Sequence, residues 1–519
     1  MFKMLKSYII LLAIILNSSI FAINVNFSNP TTTPTGAAPN LSDPGGNAGS
    51  SQIATDSSGR YVYAVWNRFN DTNLIVQVAI SSDFAQTWSD PTTTPTGTAH
   101  NLPDAGGNAN KPQIVTDSSC RYVYAVWQSA FFIQVAISSD VGQTWSDPTT
   151  TPTGTTTPNL SDPGGNALVP QIATDSSGRY VYAVWYRSNG TNNIIQVAIS
   201  SDFGQTWSDP TTTPTGTTTP NLSDPGGNAV DPQIATDSSG RYVYAVWYRS
   251  NGTKNIIQVA ISSDFGQTWS DPTTTPTGTA PNLSDPGESA FNPQITTDNT
   301  GRYVYAVWER SNDIGDFIIQ VAISSDFGQT WSDPTTTPTG ITPNLSVSGE
   351  DASTSQIATD STGRYVYAVW RRDYIIQVAI SSDFGQTWSD PTTTPTGIAP
   401  DLSVSGKEAE KPQIATDISG RYVYAVWYRD DGSNEIIQVA ISSDFGQTWT
   451  DPTTTPTGTT TPNLSVSGER AVEPQIATDS SGRYVYAVWD RRDGTDSIVQ
   501  VAIGFKTFFP IKNSTIKRG

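Results

Sequence analysis

Two positions past a recurring tryptophan the chain places arginine in seven of eight near-copies of one stretch: Arg68, Arg187, Arg249, Arg310, Arg372, Arg429 and Arg491, with Ser129 in the remaining copy. A guanidinium offers paired N–H donors that match a carboxylate or sulfate, so these arginines are the candidate ligand-binding set. Five of the seven have an acidic residue within two or three positions, among them Glu309, Asp373, Asp430 and Asp490, and a local ion pair is the competing use. Tyr186, Tyr248 and Tyr428 directly follow the same tryptophans and qualify as nucleophiles by residue type alone. His100 is the only histidine and Cys120 the only cysteine, so a His/Cys metal site, a Ser-His-Asp triad, a Cys-His pair and an intrachain disulfide all lack support. No spacing in the Asp- and Asn-rich loops resembles a calcium-binding helix-loop-helix, and neither metal nor cofactor is expected.

The positions that carry this chemistry belong to a repeat. Gln171-Ile-Ala-Thr-Asp-Ser-Ser-Gly-Arg-Tyr-Val-Tyr-Ala-Val-Trp185, Ile195-Gln-Val-Ala-Ile199 and Ser200-Ser-Asp-Phe-Gly-Gln-Thr-Trp207 form one copy. The marker arginines Arg60, Arg121, Arg179, Arg241, Arg302, Arg364, Arg421 and Arg483 recur at intervals of 57 to 62 residues. That is too long for a helical hairpin repeat of roughly 33 to 47 residues and suits a four-stranded blade with generous loops. With 41 Gly, 35 Pro and abundant Thr, Val, Tyr and Trp, the chain reads as all-β.

Within one unit, strands are expected at Gln171 to Thr174, Tyr180 to Trp185, Ile194 to Ile199, and from near Thr206 through Ser208-Asp-Pro-Thr-Thr-Thr. Both faces of the second strand are apolar or aromatic, as a sheet covered on both sides requires. Pro210 and Pro214 cannot donate to a ladder, so the fourth strand belongs at the outer edge and the first lines the centre. The expected fold is an eight-bladed β-propeller of four-stranded blades.

The ends suggest how such a ring closes. Asn26-Phe27-Ser28-Asn29-Pro30 repeats the text of a fourth strand, with Phe27 in the tryptophan position, whereas the last unit departs into Gly504-Phe-Lys-Thr-Phe-Phe-Pro510. An N-terminal outer strand pairing with the last blade is the preferred closure; Thr507-Phe508-Phe509 as a degraded fourth strand is the alternative. Met1 to Ala22 carries Lys3 and Lys6, an apolar run and small residues, and reads as a secretory signal peptide, with an uncleaved anchor as the alternative. The expected division is a leader over 1–22, the propeller over 23–503 and a tail over 504–519, in a protein that is secreted or on the cell surface, with no membrane span after signal cleavage. A net charge of −19 argues against a nucleic-acid partner.

Seven units contain Ser-x-Asp-x-Gly-x-Thr-Trp, with Ala85 replacing glycine in the first, and their aspartates are Asp83, Asp140, Asp202, Asp264, Asp326, Asp383 and Asp444. This motif resembles the Asp-box, or BNR repeat, of sialidases and related secreted propellers. Serine and aspartate can close a tight turn, glycine can take φ > 0 and tryptophan can pack between sheets, so the box reads as structural. The resemblance implies a sialidase-like fold and, in enzymes of that kind, an arginine cluster, a tyrosine nucleophile assisted by glutamate and an aspartate acid. The chain lacks their N-terminal Arg-Ile-Pro signature, and nearly every Arg, Tyr and Asp has cousins in the other copies, so no asymmetric catalytic set is expected.

Strand alternation puts the uniform Asp-Ser-Ser-Gly turns and the boxes on one face. The other face collects the variable loops and connectors, where recognition is expected. Two functions follow: a propeller binding glycans or cell-surface proteins through that face with multivalent avidity, or a sialidase-like exo-glycosidase.

Overall fold

The computed structural model describes residues 23–508 apart from 98–100, 103–107, 155–157, 163, 217–219, 313–314, 459–461 and 495. The expected leader and His100 lie outside the described residues, as do residues 509–519.

Among the described residues the chain is all-β and forms eight separate antiparallel sheets, as the strand periodicity requires. In the third unit the strands Ala167–Thr174, Val181–Ser188 and Asn193–Ser200 pair in sequence. Val181 to Trp185 are all buried, as are Ile194 to Ser200, because β-branched and aromatic side chains leave this ribbon by both faces. Each sheet buries them against its neighbours: Tyr182, Val184 and Val197 of one unit share a core with Val243, Trp247 and Trp269 of the next.

Two expectations about strands need correction. The first strand begins four residues earlier, at Ala167, because a β-bulge between Leu168 and Gln171 breaks the two-residue alternation that marks a strand in sequence. Six sheets have three strands, not four. The expected fourth strand survives as single bridges, Ile199 to Ser208 within its sheet and Thr212 to Thr268 of the following unit. Only Trp449–Thr450 lengthens into a two-residue strand. The prolines that mark this segment as an edge also remove the donors a longer ladder would need.

The last sheet takes its outer strand from the N-terminus. Ile23–Ser28 runs antiparallel to Asp496–Phe508, with Phe27 opposite Gly504 and Ser28 opposite Ile503. Thr507 and Phe508 therefore prolong the third strand of this sheet, five residues beyond the expected boundary at 503.

Backbone bonds between the uniform turns link all eight units. Ser57 N–H donates to Ser118 O, and the same bond joins Ser118 to Ser176, Ser176 to Ser238, Ser238 to Asn299, Asn299 to Ser361, Ser361 to Ile418, Ile418 to Ser480, and Ser480 back to Ser57, at 3.0–3.1 Å. The first strands of all eight sheets line one common cavity of about 540 Å³, walled by Ile, Val, Ala and Thr.

The box builds the seam between units. Asp202 accepts from Thr206 N–H (2.8 Å) and the Thr206 hydroxyl (2.6 Å), while Ser200 Oγ accepts from Gly204 N–H (2.9 Å). Phe203 stacks on Tyr122 of the preceding unit, and Trp207 Nε1 donates to Gly204 O. Arg179 spends its Nε on Ser201 O and lies over Tyr180. Replacing Asp202 by alanine strands these donors and is expected to cost about 1–3 kcal/mol. A fall in melting temperature with unchanged ligand affinity is the expected result; unchanged stability with lost affinity would contradict it.

Candidate functional site

Each first strand carries the same bulge, and its extra residue adopts a left-handed conformation without being glycine: Ser50, Lys111, Val169, Asp231, Asn292, Thr354, Lys411 and Glu473, with φ between 50° and 54°. Such backbone is costly for a side-chain-bearing residue and clusters where side chains must be re-aimed. Eight equivalent positions here hold seven residue types, between an alanine and a glutamine that do not change. Five of these residues, Ser50, Lys111, Val169, Asp231 and Glu473, line a cavity of about 280 Å³ with Gln52, Gln113, Gln171 and Gln475.

A second variable ring surrounds the first. The residues just past the strand-two tryptophans, Asn67, Gln128, Tyr186, Tyr248, Glu309, Arg371, Tyr428 and Asp490, sit across the ladder from the residue preceding each bulge. Several reach across to hold a bulge. Asp490 accepts from Ser50 N–H and the Ser51 hydroxyl, both at 2.9 Å, bridging the last unit to the first. Glu309 accepts from Thr354 N–H (2.6 Å) and Asn292 Nδ2 (3.0 Å). Tyr428 donates to Glu410 Oε2 at 2.8 Å, and Arg371 Nε lies 3.7 Å from Glu410 Oε1.

Burial sets the protonation of this mouth. It pushes Asp490 up to about 7 and raises Glu309 and Asp231 above the usual carboxylate range. It also raises Tyr248 to about 12, helped by Asp231, and Tyr428, helped by Glu410. The cavity itself offers the carboxylates of Asp231 and Glu473, the amides of Gln52, Gln113, Gln171 and Gln475, the hydroxyls of Ser50 and Ser51 and the Lys111 ammonium, a set suited to a polyhydroxylated ligand.

The residues that line this cavity differ from unit to unit, which the repeat text does not lead one to expect. Most of them lie in the short runs Gly49-Ser-Ser-Gln52, Asn110-Lys-Pro-Gln113, Val230-Asp-Pro-Gln233 and Val472-Glu-Pro-Gln475, which look like drift along the chain. The usable signal is variation immediately before an unvarying glutamine.

The sequence-derived arginines lie elsewhere. Arg68, Arg187, Arg249, Arg310, Arg372, Arg429 and Arg491 are distributed one to a sheet at the variable end of the second strand, where Arg187 pairs across from Ala167. Arg249 lies 3.9 Å from Asp224, and Arg372 and Arg491 form ion pairs with Glu350 and Glu469 of their connectors. Arg310 and Arg429 line separate cavities to which no first strand contributes. The box aspartates occupy the opposite face from the mouth. Among the described residues no group of three or more His, Cys, Asp or Glu could hold a metal, and no helix is long and apolar enough to cross a membrane.

Residues 73–282 match the family described as "BNR repeat-like domain", and the same box recurs beyond that span to Trp449. No curated protein sequence matches it. Similar solved structures include a protein of unknown function from Dyadobacter fermentans, at 15% identity and a TM-score of 0.38, covering 67% of this chain and 96% of that one. Another is a Hadza microbial sialidase, at 12% and 0.39, covering 92% and 98%. A third is a polysaccharide lyase described as an ulvan lyase, at 11% and 0.43, covering 73% and 89%.

Proposed function

We propose that the chain is an exported eight-bladed β-propeller that binds glycans, free or on surface proteins, at the axial mouth of its variable face. The observation that carries this reading is that five unlike bulge residues, Ser50, Lys111, Val169, Asp231 and Glu473, line one cavity where the repeats would otherwise present equivalent positions. The circuit of turn-to-turn bonds and the N-terminal strand on the last sheet support a closed ring of eight. The leader supports export.

A glycan array probed with the purified protein, followed by calorimetry on any hit, is the test. Glu473→Gln and Lys111→Met are each expected to weaken binding about tenfold, the equivalent of one good hydrogen bond. A silent array would defeat the proposal.

One arrangement favours a second reading, exo-glycosidase activity. Tyr428 already donates to Glu410, with Arg371 beside it, and Asp490 holds a proton near neutrality. The Tyr428 hydroxyl attacks an anomeric carbon only as its proton passes to Glu410, while the glycosidic C–O bond breaks and the departing oxygen takes a proton from an acid or from water. Turnover of a fluorogenic sialoside, abolished in Tyr428→Phe, would establish it.

A further inference from the structure

The cavities beside Arg310 and Arg429 occupy the same place in two repeats. One, in the fifth unit, has a volume of about 640 Å³ and the other, in the seventh, about 360 Å³, both within the roughly 300–1,000 Å³ of small-ligand sites. Asp333, Gln320 and Asn344 of the first correspond to Asp451, Gln438 and Asn463 of the second.

Their polar groups are set for an occupant. Trp308 Nε1 donates to Gln320 Oε1 at 3.3 Å, and Gln320 Nε2 donates to Asn344 Oδ1 at 2.8 Å. That relay uses the oxygen of Asn344 and so leaves its amide N–H₂ as the remaining donor; in the seventh unit Gln438 Nε2 donates to Asn463 Oδ1 at 2.8 Å, without the tryptophan bond. Asp333, two residues past the box tryptophan, is partly buried and has no hydrogen-bond or ion-pair partner among the described residues, and burial raises its pKa. A carboxylate kept there without a protein donor leaves its oxygens to accept from something else. Pro276, Leu283 and Pro343 supply apolar wall on which the flat side of a sugar ring can rest.

Charge selects the ligand. Arg310 shares its cavity with Asp285 and Asp333, so the guanidinium does not leave the site cationic. In the fourth unit the corresponding Arg249 and Asp224 form an ion pair. In the fifth unit an anion would meet two carboxylates for one cation, whereas a vicinal diol can donate to Asp333 and accept from Arg310 and Asn344; in the seventh, Lys407 and Arg429 face Asp431 and Asp451, so that cavity carries no net positive charge to select an anion.

We infer that the fifth and seventh units carry peripheral subsites for neutral saccharide residues, built on Asp333, Asn344 and Arg310 and on Asp451, Asn463 and Arg429. This rests on the glycan-binding reading but not on the axial mouth. It also assigns Arg310 and Arg429 to neutral hydroxyls in place of a carboxylate or sulfate.

The test is calorimetric titration of the full chain with neutral oligosaccharides and with sialylated and sulfated ones, in parallel with Asp333→Asn, Asp451→Asn and Glu473→Gln. The expected result is at least two neutral-saccharide equivalents besides the axial one. Asp333→Asn and Asp451→Asn should each remove one equivalent at unchanged melting temperature, while Glu473→Gln should weaken only the axial one, about tenfold. A single equivalent, weakened by Glu473→Gln and untouched by the other two variants, would overturn the peripheral subsites and leave the axial reading standing. Preference of the peripheral equivalents for sulfated or sialylated ligands would overturn the neutral class. Absence of binding by every saccharide would remove both readings.

Discussion

Phe27→Ala is expected to destabilise the protein by about 3–5 kcal/mol, the cost of emptying a buried aromatic site. The ring is 3% exposed and packs in a core with Val25, Tyr424, Val485 and Trp489. It stands where the other units place a tryptophan, and the chain makes room opposite it: a Cβ on Gly504 would lie 2.7 Å from Phe27 Cε1. The location amplifies the loss. Phe27 belongs to a six-residue strand that carries the outer edge of the last sheet, so weakening it exposes the third strand of that sheet along its length. Thermal melts and limited proteolysis should show early release of residues 23–28. Melting unchanged from wild type would mean that the N-terminal strand contributes little to holding the last sheet.

The second large effect is a pH dependence centred on Asp490. Its folded-state pKa, about 7, lies above that of an unfolded aspartate because the carboxyl is buried, with the charge of Glu473 adding to the rise. Between about pH 4 and pH 7 the native protein therefore retains a proton that the unfolded chain has released, and stability falls as pH rises through that window. The upper bound is about 4 kcal/mol, since each tenfold change in proton affinity between the folded and unfolded states is worth about 1.4 kcal/mol. Glu309 and Asp231 act in the same direction, so the informative quantity is the difference between wild type and Asp490→Asn. Asparagine can still accept from Ser50 N–H and can donate to Ser51 Oγ, so the variant should keep the bridge while losing much of the slope. Equal slopes in denaturant titrations at pH 5 and pH 8 would show that Asp490 does not titrate there.

Much of the architecture is legible in sequence because burial on both faces leaves a strong imprint. Val181 to Trp185 can hardly be anything but an interior strand, and the spacing of Arg60 to Arg483 counts the units. The bulges are invisible for the converse reason: at Val169 or Asp231 the alternation fails locally, and a failed alternation looks like loop. Lys506 shows another limit. Its N–H donates to Arg483 O, as Phe203 N–H does to Arg179 O, and its ammonium lies over the Tyr422 ring where a phenylalanine stacks in most other units. Burial lowers its pKa to about 8. Nothing in Gly504-Phe-Lys506 announces the end of a box, because a backbone position and a ring contact are preserved while the residue type is not. The arginines illustrate the opposite case. Their recurrence and their acidic sequence neighbours are plain in the sequence, but only the fold shows that Arg249, Arg372 and Arg491 meet more distant carboxylates, Asp224, Glu350 and Glu469 of the connectors.

The pairing of Ile23 with Phe508 also fixes an orientation. The third strand of every sheet runs from the variable loops toward the box turns, and Asp496–Phe508 follows that course, so its last residue emerges among the turns. The antiparallel N-terminal strand enters from the same side. Both ends of the described chain therefore leave from the face opposite the axial mouth and the peripheral cavities. Anything joined at either end, whether an anchor, a fused domain or an immobilising tag, would hold the molecule by its back and present the mouth outward. A pull applied between the two ends would part the terminal ladder one pair at a time, beginning at Ile23 and Phe508, before it loaded any other sheet.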